Sequence, residues 1–255
     1  MVAFTFYGNP ELVHHNTSYF KGILANIEAI SALYGSSWSM RLYHDIALDN
    51  PWMAELCKLA CSYDLLDLCP VNKLPLPLLT NAGHMLPTLW RFFPTLDPQV
   101  DIFLSRDLDS TISSREVEAV DEWLKSEKTL HVMRDHPLHS VPMLAGLWGT
   151  KLMNSRDAWK FIWTAIMADP QSRSSREGKG HDQTLLSRHV WGKLYGGVMQ
   201  HDNYWCTQWP DGSLGFPSQR PNSTENFVGG YRGYRKPVWL ECPKECRRLQ
   251  SWIYC

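Results

Sequence analysis

The chain has 255 residues, with 25 Lys and Arg against 26 Asp and Glu and a formal net charge of −1. A balance this close to neutral supplies no basic field to draw in nucleic acid or an anionic membrane surface. No apolar run approaches the roughly 20 residues of a membrane-spanning helix. Hydrophobic residues make up 44% of the chain, enough core for one large α/β domain.

Met1 leads directly into a strand-like "VAFTFYG" over 2–8, so the sequence reads as having no signal peptide and no anchor. Helical apolar spacing over 16–35 ends at Gly35, and a second strand is expected over 39–45. Pro51 opens a helix over 51–63, and "LLDLCPV" (65–71) reads as the third strand. A helix over about 81–93 is expected to kink or split at Pro87 before the strand "VDIFLSR" (100–106). Ser113 with Glu116 three residues on forms a capping-box pattern for a helix over 113–128. Strands "TLHVMRD" (129–135) and "MLAGLWG" (143–149) follow, then a helix over 155–168. "QSRSSREGKG" (171–180) lacks apolar anchors and reads as a surface loop, with Arg173 an ordinary solvated charge. Alternating strands and helices imply a mostly parallel sheet covered on both faces.

Beyond about 203, Pro, Gly, Asn, Trp and Tyr dominate, and little regular structure is expected. Cys206, Cys242, Cys246 and Cys255 fall in this tail and read as a disulfide framework; a zinc site is the rival, but there is no second CxxC and no His at finger spacing. Asn16-Thr17-Ser18 and Asn222-Ser223-Thr224 fit the N-glycosylation pattern. With the cysteines they favour a secretory lumen or a secreted protein over the cytoplasm. The 12 Trp read chiefly as aromatic core, with stacking on sugar rings as the alternative.

The sharpest local feature is "DIFLSRDLDS" (101–110), an apolar strand ending in Asp107 and Asp109. Carboxylates at i and i+2 of extended backbone address the same side. In an open α/β sheet that side is the ligand edge, beyond the carboxyl ends of the strands. Paired carboxylates there suit Mg²⁺ or Mn²⁺, whose remaining positions water and phosphate oxygens fill. The plain alternative is a solvated turn in which Asp107 pairs with Arg106 or another Arg.

The run "WRFFPTLDPQVDIFLSRDLDS", followed in order by "VMRDHPLHSVPMLAGLWGTK", "GHDQTLLSRHVW" and "MQHDNYWC", resembles nucleotide-sugar-dependent glycosyltransferases of the GT-A fold. The resemblance implies a single GT-A-like domain over 1–202, with a mostly parallel, Rossmann-like nucleotide-binding half (1–110) and a mixed-sheet sugar and acceptor half (111–202). An irregular, disulfide-stapled tail (203–255) would pack on it. It further implies a nucleoside-diphosphate-sugar donor, UDP-linked, a Mn²⁺ or Mg²⁺ ion on Asp107 and Asp109, and a hydroxyl acceptor on a glycan, protein or small molecule. His201 corresponds in order to a late histidine that completes the metal site in some members, with Asp202 as its substitute. Asp182 and Asp135 are the candidate catalytic carboxylates, Asp182 serving as general base if the reaction inverts and as a sugar-positioning group if it retains. Tyr7, Gly8 and Asp45 fall where a base and ribose would rest, and Arg91 and Arg106 near the diphosphate. Arg134, Asp135, His136, Gly146, Trp148, Asp182 and Gln183 are expected around the sugar, with Lys179 or Arg176 on a closing loop. His131, His136 and His139 as a separate metal cluster is disfavoured because Pro137 breaks the strand. Most enzymes of this class in the Golgi carry a membrane anchor and stem; neither is read in this sequence, so a trimmed chain, a soluble form or a cytosolic enzyme is expected. The rivals are a carbohydrate-binding module without turnover and a metal-dependent phosphoryl-transfer or hydrolytic enzyme, for which no P-loop or HExxH is present.

Overall fold

A computed structural model describes residues 1–8, 13–75, 82–173, 180–194, 197–220, 227–231 and 241–255, with side chains from 19 onward in the first helix. Lys179, Arg176 and the Asn222 sequon lie outside the described residues, as does the side chain of Asn16.

The opening half alternates as its periodicity predicts. Strand β1 (Val2–Phe6) is followed by α1 (Val13–Ala29), β2 (Met40–His44), α2 (Pro51–Ser62) and β3 (Leu66–Pro70). Pro51 takes the first helical position of α2, and the Asn50 side chain caps it by accepting from the Trp52 N–H at 3.0 Å. The expected helix over 81–93 is instead a 3₁₀ helix, Pro87–Leu96, preceded by a short turn at Ala82–His84. Pro87 divides the two, and Pro94, which has no N–H to give, prevents a regular α ladder. This segment is buried nearly all round, so it runs through the core rather than over it.

Strand β4 (Ile102–Ser105) then leads to α3 (Ser114–Leu124), β5 (Leu130–Arg134), β6 (Trp148–Lys151), α4 (Arg156–Ala168), α5 (His181–Leu186), β7 (Val198–Asp202) and the short β8 (Ser213–Leu214). Ser113 caps α3 by accepting from the Glu116 N–H at 3.3 Å. Glu116 does not complete the box; it turns inward to the Arg106 guanidinium at 2.6 Å. The eight strands form one sheet in the order β3-β2-β1-β4-β6-β5-β7-β8. All pairings are parallel except those of β6, which runs antiparallel to both β4 and β5. The expected strand over 143–149 is therefore corrected: 143–147 is irregular, and β6 starts at Trp148 opposite Ser105, the last residue of β4. The Ser105 hydroxyl donates to the Ala145 carbonyl at 2.7 Å and holds this turn beyond the strand end.

No described Trp is exposed, and Trp90, Trp123, Trp148, Trp159 and Trp163 are fully buried, so the tryptophan content builds the core. The tail is stapled by Cys206–Cys246 and Cys242–Cys255, with Cα atoms 5.5 and 6.0 Å apart. Cys57, Cys61 and Cys69 are free thiols. Among the described residues no helix is long and apolar enough to cross a membrane.

Candidate active site

A cavity of about 600 Å³ lies beyond the carboxyl ends of β1 and β4. Thr5, Phe6 and Tyr7 of the β1 end, Asp107, Leu108 and Asp109 after β4, Ala145 and Gly146 before β6, and Asp182 and Gln183 of α5 all line it. Leu108 is buried in the core between the two aspartates, so the carboxylates on either side face outward into the cavity. Helix α1 clasps the turn from behind. Fully buried Asn26 donates to the Ser110 carbonyl at 3.0 Å, and its side-chain oxygen accepts from the Ile112 N–H at 3.4 Å. Gly22 on the same helix lies so close to the Leu108 carbonyl that a Cβ would meet the oxygen at 1.9 Å.

Arg91, from the buried 3₁₀ helix, ties the cavity wall together. Its guanidinium contacts Asp107 and pairs with Asp182 at 3.0 Å. Burial opposes its charge, but Asp107 and then Asp182 more than offset this and hold it protonated. Asp182 is itself buried, and its second oxygen accepts from the Gln183 N–H at 2.9 Å. Burial, then Asp109, Tyr7 and Asp107, push the Tyr19 phenol up to about 12. The described charged side chains lining the cavity are three carboxylates and one guanidinium, so the site carries excess negative potential.

Gly146 is required by packing rather than by backbone angle: a Cβ there would fall 1.9 Å from Asp107 Oδ2. The glycine thus receives the aspartate's carboxylate. Gly229 and half-exposed Tyr231 of the tail also line the cavity, Gly229 close against Leu147 and Tyr231 bridged to Ser110 beside the aspartate turn.

Of the residues singled out in the sequence, Tyr7, Arg91, Asp107, Asp109, Gly146, Asp182 and Gln183 line this one cavity. Gly8 takes a left-handed φ of +118° just past the β1 end, and neither it nor Asp45 lines the cavity. Arg106, placed by expectation near the diphosphate, is buried on Glu116 and the Trp148 carbonyl. Arg134 is likewise buried, paired with Asp202 at 2.6 Å. Asp135, a catalytic candidate in the sequence, is held by both nitrogens of the Arg115 fork at 2.9 and 3.0 Å, by Asn203 at 2.7 Å and by the Val228 N–H at 3.0 Å. Those bonds make it a fully satisfied structural carboxylate anchoring the tail. His136 packs on Phe227 and Trp148 packs among Phe92, Phe103 and Trp159, both away from the cavity lining.

The structure also separates His201 from the aspartates. It is fully buried, its Nδ1 lies 2.7 Å from His131 and its Nε2 lies 3.1 Å from Glu122, which Arg248 of the tail also grips. Both ring nitrogens are engaged away from the cavity, and Asp202 is committed to Arg134. Among the described residues no group of three or more His, Cys, Asp or Glu is positioned to hold a metal ion. Asp107 and Asp109 stand as an oxygen pair in a negatively charged cavity, a donor set that fits a hard divalent ion completed by water and phosphate oxygens. Tyr19, Thr88, Gly229 and Tyr231 also line the cavity with no signal in the sequence, and His139, weighed there only as part of a metal cluster, joins them.

No family model matches the chain and no curated protein matches it. Solved structures do show similarity. A glycosyltransferase involved in the glycosylation of the major capsid of PBCV-1 is 12% identical with a TM-score of 0.43, covering 80% of this chain and 82% of that one. The galactosyltransferase LgtC, solved with donor and acceptor sugar analogs, is 14% identical with a TM-score of 0.48, covering 78% and 72%. The glycosyltransferase GlyE of Streptococcus pneumoniae is 12% identical with a TM-score of 0.47, covering 78% of this chain, which spans only 44% of GlyE. At TM-scores below 0.5 these likenesses are distant, and the functional reading rests on the cavity itself.

Proposed function

We propose that this protein is a glycosyltransferase that moves a sugar from a nucleoside diphosphate, UDP by the resemblance of its sequence, to a hydroxyl-bearing acceptor, with Mn²⁺ or Mg²⁺ held by Asp107 and Asp109. One observation carries the reading: the paired carboxylates at the β4 end face the same cavity as the β1 end, Arg91 and Asp182. Three carboxylates against one guanidinium would repel a diphosphate, so binding one calls for an added cation. When bound, the ion would supply Lewis-acid neutralisation of the charge building on the departing phosphate.

The chain's own residues have distinct tasks in this reading. Tyr7 and Tyr19 present aromatic surface beside the β1 end, suited to a base. Arg91 fixes the Asp107 carboxylate and Asp182 relative to one another. Asp182 already accepts from Arg91 and from the Gln183 amide, which suits it to accept a further hydrogen bond from a sugar hydroxyl and to orient the donor, rather than to remove a proton. The buried tryptophans weigh against a sugar-stacking module as the alternative. Calorimetric titration with UDP tests the reading: binding with Mn²⁺ that is lost in EDTA is expected, and absence of binding in both conditions would contradict it.

A further inference from the structure

His139 lines the cavity from the loop between β5 and β6. Two bonds fold that loop back on itself: the His139 N–H donates to the His136 carbonyl at 2.9 Å, and the Asp135 N–H donates to His139 Nδ1 at 3.2 Å. An Nδ1 that accepts must carry the lone pair, which puts the proton of the neutral ring on Nε2. Burial, followed by the neighbouring His136, pushes this histidine down to about 3, so the ring is neutral at physiological pH. Nε2 has no hydrogen-bond partner among the described residues. The ring is oriented by packing against His136 and Phe227, with centroids 5.6 and 5.8 Å away. His139 therefore brings to the cavity wall a neutral ring whose one N–H is unengaged among the described residues, without charge and without a free lone pair for a metal.

Its place in the sheet says what that donor meets. Across the order β1-β4-β6-β5, the β1 end offers the aromatic surface for a base, the β4 end the carboxylate pair, and the β5–β6 side lies beyond them. The third part of a nucleoside-diphosphate sugar is its pyranose. A sugar hydroxyl both donates and accepts, and the carboxylates of this cavity can only accept. We propose that His139 is a specificity-determining residue that donates its Nε2–H to a hydroxyl of the transferred sugar. This rests on the glycosyltransferase reading and adds a sugar contact to it.

The test is calorimetric titration with UDP and, separately, UDP-glucose, UDP-galactose and UDP-N-acetylglucosamine in Mn²⁺. Wild type is compared with His139→Phe, which keeps the aromatic packing, and His139→Gln, which keeps an N–H donor. His139→Phe is expected to leave the UDP dissociation constant within about twofold and to weaken the sugar nucleotide that wild type prefers by about five- to tenfold. His139→Gln should recover part of that loss. Equal weakening of UDP and UDP-sugar would make His139 a wall residue and overturn the inference, as would no change in either. If wild type binds none of these ligands, the glycosyltransferase reading falls and the inference with it; if wild type binds and the Phe variant matches it, the inference alone falls.

Discussion

Replacing Gly146 with Ala isolates the Asp107 carboxylate with the smallest possible change. The added Cβ would sit 1.9 Å from Asp107 Oδ2, whereas real Cβ atoms essentially never come within 3.0 Å of a neighbour, so the carboxylate must retreat by about 1.1 Å. Gly146 does not have a positive φ, so the backbone itself tolerates Ala. Asp107 is 48% exposed and its pairing with Arg91 is screened by solvent, which holds the stability loss to about 1 kcal/mol or less. Misplacing a ligating group by an ångström is costlier to chemistry, on the order of 10²-fold in rate. Steady-state release of nucleoside diphosphate across a Mn²⁺ titration, beside urea melts of both proteins, separates the two effects. A loss of roughly two orders of magnitude in kcat/KM with a nearly unchanged melt is expected. Unaltered kinetics, or a kinetic loss accounted for by unfolding, would refute the role given to this contact.

Asn26→Ala removes the buried clamp on Ser110 and leaves that carbonyl and the Ile112 amide unsatisfied; it should cost about 1–3 kcal/mol in urea melts and lower activity through the loosened turn. Burial holds His131 and His201 below the ordinary histidine value, so unfolding takes up protons as the pH falls below about 6.5. Their contribution is full above that pH and is lost progressively below it; a urea midpoint that stays constant between about pH 7.5 and 5.5 would contradict the buried neutral pair. Removing the Cys206–Cys246 link, which spans 40 residues, by paired Ala substitution should cost about 4 kcal/mol of stability, read from the same melts.

Local pattern made much of the fold legible. Apolar period and caps marked β1 to β4, α1 and α2, because those elements are set by neighbours within a few residues, whereas the prolines turned the expected helix over 81–93 into a 3₁₀ segment. The 143–149 segment misled because its apolar residues serve a turn: Leu147 and Ala145 are buried around the loop that carries Gly146 over Asp107. Asp107, Asp109 and Asp182, singled out as carboxylates at a strand or helix end, all line the cavity. Arg134-Asp135 has the same appearance in sequence, yet its partners are Asp202, 68 residues away, and Arg115, 20 residues away, and the pairs are buried structural bonds. His201 was misplaced for the same reason, since its engagement with Glu122 and His131 exists only after β5 and β7 have paired. Tyr231 and Gly229 reach the cavity from the tail through the Ser110 bridge, a contact no local pattern announces.

In the proposed function, Asp107 and Asp109 hold a divalent ion in a cavity that binds a sugar nucleotide. The most direct test is release of nucleoside diphosphate from a panel of sugar nucleotides in Mn²⁺, Mg²⁺ or EDTA, with Asp107→Asn and Asp109→Asn compared with wild type. Release from one donor that requires the metal and disappears in both folded variants is expected. Release unaffected by EDTA and retained by both variants, or no release from any donor, would contradict it.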